Sequence, residues 1–549
     1  MKKIDSFQKN KINKKTKKII KISTFSGLTA SAIGIAAIAS SCAGVSWKST
    51  AQIVVSDSSS VLADQAFSES AYNGLKSFYS NLGISDIPNA NSSDVVEGNG
   101  IWKRPGSTDQ SRISAYENVK NDGSNIVIAT GFNQKSALEQ VTQIGSSNES
   151  LFGNTGFIFV DGAMPKDDKS NPRNVASISY RADEGSFLVG LATAVYLNEN
   201  WDLFYSQKPE SIGASSFVGL ALDSTVSLFN GFRLGLMYWN SIADHITLSD
   251  GGNAIPIQWI SPENAFTMDA YISGGFDPNQ PKAVTITESL INKGAKVIFP
   301  IAGPQTASVV GTISQKQTNV AVIGVDTAQE NITELQKPMP KPRNGKNDQI
   351  LIFSSLKNLD ISVNAVLNSI KSGQEFKPSG SETGYQGFGW NNIADLSNNG
   401  VGISDAGLSY LIDPFFFDSE QINDDTKTTY DASKGNKVQL STIARAKDDN
   451  SIKQKYSKLL GGNVQVKYSS LGEDKNWQIQ GSELKWTLNY TSSTQGIGDI
   501  SRYMPIITGT SGNNEYTIDG AFGGTVTTQV ATAGTLLDGT KWTYDITRS

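Results

Sequence analysis

The chain has a single cysteine, a single histidine and no long apolar run after its first 42 residues. One cysteine excludes an intrachain disulfide and any cysteine-built zinc or iron–sulfur site. The lone His245 excludes multi-histidine metal centres and leaves one imidazole for base chemistry. GxSxG, P-loop, HExxH and strand-linked GxGxxG patterns are all missing. No later stretch reaches the ~18 apolar residues of a membrane-spanning helix. Most enzyme chemistry is thereby excluded, and neither metal nor cofactor is expected. A hydrolase working with two carboxylates stays open.

What is present divides into unlike parts. At 549 residues, 38% apolar and 9% aromatic, the chain is long enough for two or three domains with sizeable cores. Nine lysines fall within the first 21 residues, and Phe25 to Cys42 (FSGLTASAIGIAAIASSC) is a run of apolar and small residues. A basic segment, a short apolar segment and small residues describe an export signal, with a retained membrane helix as the alternative. Ala39-Ser40-Ser41-Cys42 resembles the lipobox of bacterial lipoproteins, although Ala39 stands where Leu is usual. That resemblance implies diacylation of Cys42 and removal of residues 1–41, leaving 42–51 as a tether. The processed chain carries 38 basic and 51 acidic residues, a formal charge of −13, which opposes nucleic-acid binding. Two acyl chains anchor stably without a spanning segment.

Beyond the tether, short apolar runs end in an acid or a glycine: Ile53–Asp57, Ile126–Gly131, Phe157–Asp161, Phe217–Asp223, Val297–Gly303 and Val320–Asp326. Ile350–Leu356 and the weaker Ile255–Ile260 complete the series. Continuous hydrophobicity fits strands covered on both faces. Helical spacing lies between them, in Ala71–Leu82, Phe187–Val195, Val226–Trp239, Ala283–Lys293 and Thr306–Lys316. The alternation predicts βαβ units and parallel sheets, in one wide sheet or two lobes, with 174–198 as a plausible transition. Ligands of such sheets lie beyond the carboxyl ends of the strands, where these acids fall. Pro338–Asn347 reads as a basic surface loop. Residues 404–549 differ in texture, with an acidic segment (Asp418–Asp431), a basic amphipathic one (Ile443–Leu460) and alternating segments at Trp486–Tyr490, Tyr516–Ile518 and Thr525–Val530. They are expected to form a mixed or β-rich extension.

Asp64–Leu75 (DQAFSESAYNGL) resembles the DKSFNQSAYEGL-type signature of the basic membrane protein family, whose characterised members are purine-nucleoside-binding lipoproteins of ABC transporters. Matching segments follow in the family's order, among them IVIATGF (126–132), GFIFVDG (156–162), NVASISYRADEGSFLVG (174–190), GGFDPNQ (274–280), GAKVIFPIAGP (294–304) and SSLKNLDISV (354–363). The resemblance spans roughly residues 51 to 404. It implies the type I periplasmic binding protein fold over 52–403: two α/β lobes, parallel sheets flanked by helices, three crossings and a ligand cleft. It also implies a monomer held to the membrane by lipid, passing nucleosides to an ABC permease and its ATPase.

The same resemblance assigns the site. Phe67 and Phe276 match two stacking rings, Asp326 and Lys357 a ribose-binding acid and amine, Gly303 a backbone contact and Asp161 a cleft acid. Asp64 is retained from the signature, with Gln65 and Ser68 replacing its Lys and Asn. Ser68 loses an amide donor, which leaves base preference open. By residue type alone, the phenylalanines could be core, Asp326 a helix cap, and Lys357 a solvated lysine at a helix start, where the dipole disfavours a cation. Asp57 and Asp223 read as caps. A sugar ligand, or an adhesin acting through residues 404–549, are the remaining alternatives.

Overall fold

The computed structural model describes residues 51–413 apart from 85–86, 99, 143–148, 165–173 and 263–267, then 437–443, 445, 454–457 and four short strands between 506 and 542. Cys42, the leader, the acidic segment 418–431 and the segments 486–490 and 525–530 lie outside the described residues.

Two six-stranded sheets carry the fold. Lobe 1 holds β1 (Ala51–Val54), β2 (Trp102–Lys103), β3 (Ile126–Thr130), β4 (Gly156–Val160), β5 (Val175–Tyr180) and β12 (Asn391–Ala394), in the order β12-β5-β4-β3-β1-β2. All its pairs are parallel. Lobe 2 holds β6 (Ile212–Val218), β8 (Ile257–Trp259), β9 (Ala295–Ile301), β10 (Ala321–Asp326), β11 (Leu351–Lys357) and β13 (Val401–Ile403), in the order β13-β11-β10-β9-β6-β8. Only β13 runs antiparallel. Both central sheets are buried on both faces, as their continuous apolar runs require.

Among the described residues the chain changes lobe three times: between β5 and β6, between β11 and β12, and between β12 and β13. These crossings are bonded side by side. Arg181 N–H donates to the Ala394 carbonyl at 2.8 Å, Asn358 N–H to that of Gly400 at 3.0 Å, and Leu396 N–H to the Glu184 carboxylate at 3.1 Å. Arg181 also pairs with Asp183 at 2.9 Å and Glu184 at 3.4 Å. Burial lifts the Glu184 carboxyl to about 7 despite that guanidinium.

Two helices lie in the lobe opposite to the strand they follow. After β5 of lobe 1, α4 (Ala182–Glu199) packs on α5 (Asp223–Ile242) of lobe 2. Their approach requires glycine: a methyl at Gly190 would lie 2.1 Å from the Phe232 carbonyl oxygen. After β11 of lobe 2, α8 (Leu359–Ser372) packs on α1 (Phe67–Asn81) of lobe 1. The helices α2 (Asp109–Asn121), α3 (Lys135–Thr142), α6 (Pro281–Asn292) and α7 (Thr306–Lys316) complete the layers.

The expected runs correspond to strands, with three differences. FVGLALD is misplaced, because the strand is Ile212–Val218 and α5 opens at Asp223. The strand's first half, IGASS, is small and polar, so the apolar window slid toward its loop. β1 begins at Ala51, one residue inside the expected tether. β2, β5, β12 and β13 carry no continuous apolar signal. The loop 338–347 is at the surface, clamped by Arg343 to Asp348 at 2.7 Å and Asp202 at 3.2 Å.

Part of the C-terminal extension completes lobe 2. β14 (Val438–Gln439) pairs in parallel with β7 (Ile246–Thr247), Arg445 pairs with Glu199, and Lys455 with Asp413. Tyr456 is fully buried, its hydroxyl donating to the Ile412 carbonyl at 2.6 Å and its ring 6.3 Å from Phe187 on α4. Tyr516–Asp519 and Ile506–Gly509 pair antiparallel within a small sheet with Gly534–Thr535 and Lys541–Trp542. Tyr456→Ala should cost about 3–5 kcal/mol of stability, as for other large core truncations, measured by denaturant unfolding. A loss below about 1 kcal/mol would make the described residues 437–443, 445 and 454–457 a detachable appendage.

Candidate functional site

The carboxyl ends of both sheets face one cleft, and most of the expected site residues meet there. Asp161 follows β4, and Asp326 is the last residue of β10, with φ of 74° and 66°. Aspartate tolerates this left-handed backbone better than most side chains. Lys357 ends β11 immediately before the second crossing.

Lys357 is buried rather than solvated. Its ammonium lies 2.8 Å from Asp161 Oδ1, with side-chain exposures of 4% and 8%, so the pair is shielded from solvent screening. The same ammonium sits 5.2 Å from the ring centres of Phe67 and Tyr180. Tyr180 Oη shares a 2.6 Å bond with Ser362 Oγ, which fixes its ring. Burial, with Asp161, Asp360 and Asp326 nearby, drives the Tyr180 phenol well above its ordinary value, keeping it neutral.

Asp326 differs from the other cleft acids. No hydrogen bond to its carboxylate is formed among the described residues, and the short turn that follows begins at Gln329, so it does not act as a helix cap. Burial lifts its carboxyl to about 6; Lys357 opposes the shift, and Asp161 and Asp64 reinforce it. Asp64, by contrast, accepts from the backbone N–H groups of Ser68, Glu69 and Ala66 at 2.8, 3.1 and 3.0 Å, capping α1. Burial raises it too, against those bonds. Ser68 is buried beside it. Phe67, the first residue of α1, is half-buried.

On the lobe 2 side, the Phe276 ring lies against Gly219, just past β6. Its loop is held by Gly274 N–H to the Gly219 carbonyl at 2.8 Å and by Gln305 Nε2 to the Gly275 carbonyl at 2.7 Å. At Gly303 a methyl would come 2.8 Å from Ala66 Cβ across the cleft. Asp57 closes its own turn, accepting from Ser59 N–H at 2.8 Å and Ser60 N–H at 3.2 Å.

Three neighbours escaped sequence reasoning. Tyr180 sits in a strand whose serines hid it. Ser224 donates to Asp161 Oδ2 at 3.1 Å, and Thr327 to the Gln65 carbonyl at 3.0 Å. Nothing in the spacing of either hydroxyl marks it. Among the described residues, no group of three or more His, Cys, Asp or Glu is placed to hold a metal ion, and no helix is long and apolar enough to cross a membrane.

Residues 51–248 match the family described as ABC transporter substrate-binding protein PnrA-like. The chain is 40% identical over 458 residues to the uncharacterized lipoprotein MG040 of Mycoplasma genitalium, covering 73% of this chain and 76% of that one. Its homolog in Mycoplasma pneumoniae is 35% identical over 461 residues, covering 74% and 68%. A solved ABC transporter solute-binding protein from Aeropyrum pernix K1 is 16% identical, with a TM-score of 0.45, covering 75% of this chain and 86% of that one. The chain belongs to the basic membrane protein, PnrA-like family: it is a lipid-anchored, extracytoplasmic solute-binding protein of the ABC-transporter type, in a family without catalytic activity.

Proposed function

We propose that the cleft captures a nucleoside and that the protein, a monomer anchored through Cys42, passes it to an ABC permease and its ATPase. The observation that carries this reading is Asp326: a desolvated carboxylate in the cleft whose hydrogen-bonding capacity is unspent. One carboxylate accepts from both vicinal hydroxyls of a ribose, and charge-assisted bonds of that kind are the strong ones. Phe67, half-buried beside Lys357, and Phe276, on the opposite lobe, supply apolar faces for a base. Asp64 and Ser68 set the start of α1 and thereby Phe67, Asp161 holds Lys357, and Gly303 permits the lobes to meet.

Calorimetry with adenosine, 2′,3′-dideoxyadenosine and adenine tests the reading. Adenosine should bind roughly tenfold or more tightly than the other two, which leave the carboxylate desolvated without donors. Phe67→Ala and Phe276→Ala should each weaken adenosine binding by about 1–3 kcal/mol. Equal affinities for all three compounds would remove Asp326 from the site. For the anchor, Cys42→Ser should release the protein into the medium, and retention on membranes after a high-salt wash would contradict acylation as the means of attachment.

A further inference from the structure

Besides the Lys357–Asp161 pair, three contacts join the lobes at the cleft without using Asp326 or either phenylalanine. Ser224 Oγ, on the second residue of α5, donates to Asp161 Oδ2 at 3.1 Å. Thr327 Oγ1, just past β10, donates to the Gln65 carbonyl at 3.0 Å. Gly303 abuts Ala66 between them. Both lobe 1 acceptors stand on residues with positive φ, 55° at Gln65 and 74° at Asp161, a conformation uncommon outside glycine that aspartate adopts more readily than glutamine. The two left-handed non-glycine residues among the described residues of lobe 1 are thus the two that accept from lobe 2.

Their placement separates these bonds from the Lys357–Asp161 pair. Lys357 directly precedes the second crossing in the chain, whereas Ser224, which bonds the other oxygen of the same Asp161 carboxylate, stands on α5. Neither Ser224 nor Thr327 adjoins a crossing in the chain. A bond that spans two bodies joined by a hinge is made in the closed state and broken in the open one. Its free energy therefore enters the closed-to-open ratio directly. Apparent affinity scales with the fraction of molecules in the competent state.

We propose that Ser224 and Thr327 form an interlobe latch that sets the closed fraction, acting on solute affinity as positioning residues through Asp161 and Gln65. The proposal rests on the solute-binding assignment of the cleft and is independent of which solute it takes.

The test reads lobe separation without any solute. In the full chain with Cys42→Ser, which leaves no native thiol, Ser80→Cys on α1 and Thr285→Cys on α6 are exposed positions for nitroxide labels, one per lobe. Pulsed EPR then gives the distribution of lobe separations. Ser224→Ala should move the closed-to-open ratio toward open by roughly fivefold, the scale of one intramolecular hydrogen bond. Thr327→Val should move it less, because that bond is exposed. Thr327→Ser keeps the donor and should restore the parent distribution, and all three variants should keep the parent's thermal midpoint. A Ser224→Ala, Thr327→Val double variant with the parent distribution would overturn the latch. So would a Thr327→Ser variant that opens as far as Thr327→Val.

Discussion

Replacing Lys357 with methionine should destabilise the fold by about 3–5 kcal/mol, the usual cost of removing one partner from a buried ion pair. Methionine keeps most of the volume beside Phe67 and Tyr180, so the loss would come from the charge left on Asp161 rather than from a void. The double variant Lys357→Met, Asp161→Asn should recover most of it, since no unpaired charge then remains buried. Denaturant unfolding of the two singles and the double closes the cycle. A single Lys357→Met variant as stable as the parent would mean that the ammonium is solvated in solution. Lys357 also holds the Asp326 carboxyl down, so its removal should raise that group further above 6.

The second large effect is in pH. The Asp326 carboxyl is at about 6 in the folded chain, against 3.8 for an unperturbed aspartate, so the fold favours its protonated form. Its contribution to stability is complete below pH 4 and is lost as pH rises through 6, roughly 3 kcal/mol across the full width of the shift. Binding has the opposite sign, because only the ionised carboxylate accepts from both ribose hydroxyls. Adenosine affinity should be flat above pH 7 and fall toward tenfold per unit well below 6. Asp326→Asn should abolish most of this slope and bind roughly tenfold or more weakly at pH 7.5. Any slope that survives in Asp326→Asn reports the other raised carboxyls among the described residues: Asp64 under α1, Asp360 in the first turn of α8, and Glu184 at the crossings, where Arg181, Asp183 and Asp395 face it. An unchanged profile in Asp326→Asn would place the titrating group elsewhere.

Sequence periodicity located the sheets well where strands are covered on both faces: β3, β4, β9, β10 and β11 lie within a residue or two of their apolar runs. It failed where burial is achieved by small polar residues, as in IGASS of β6 and VASISY of β5, or where a strand lies at a sheet edge, as in β12. The acids at strand ends pointed to the cleft for a topological reason, since parallel connections bring those ends together. What each acid does there was not legible. Asp64 and Asp326 were both expected as site acids, yet one carboxylate is satisfied by three backbone N–H groups and the other by none among the described residues. Lys357 carried a usable hint, because a lysine at a helix start opposes the helix dipole and needs a partner. The partner, Asp161, lies 196 positions away and could be found only by folding the chain. The same holds for Tyr456, whose aromatic ring in a basic stretch gave no sign that it belongs to the core of lobe 2.

Mass spectrometry of the small molecule released by denaturing the full-length protein, purified from membranes without added ligand, tests the central claim most directly. A ribonucleoside should appear in near-stoichiometric amount and be lost when Asp326→Asn is purified the same way. A hexose or a peptide in that amount would contradict that claim.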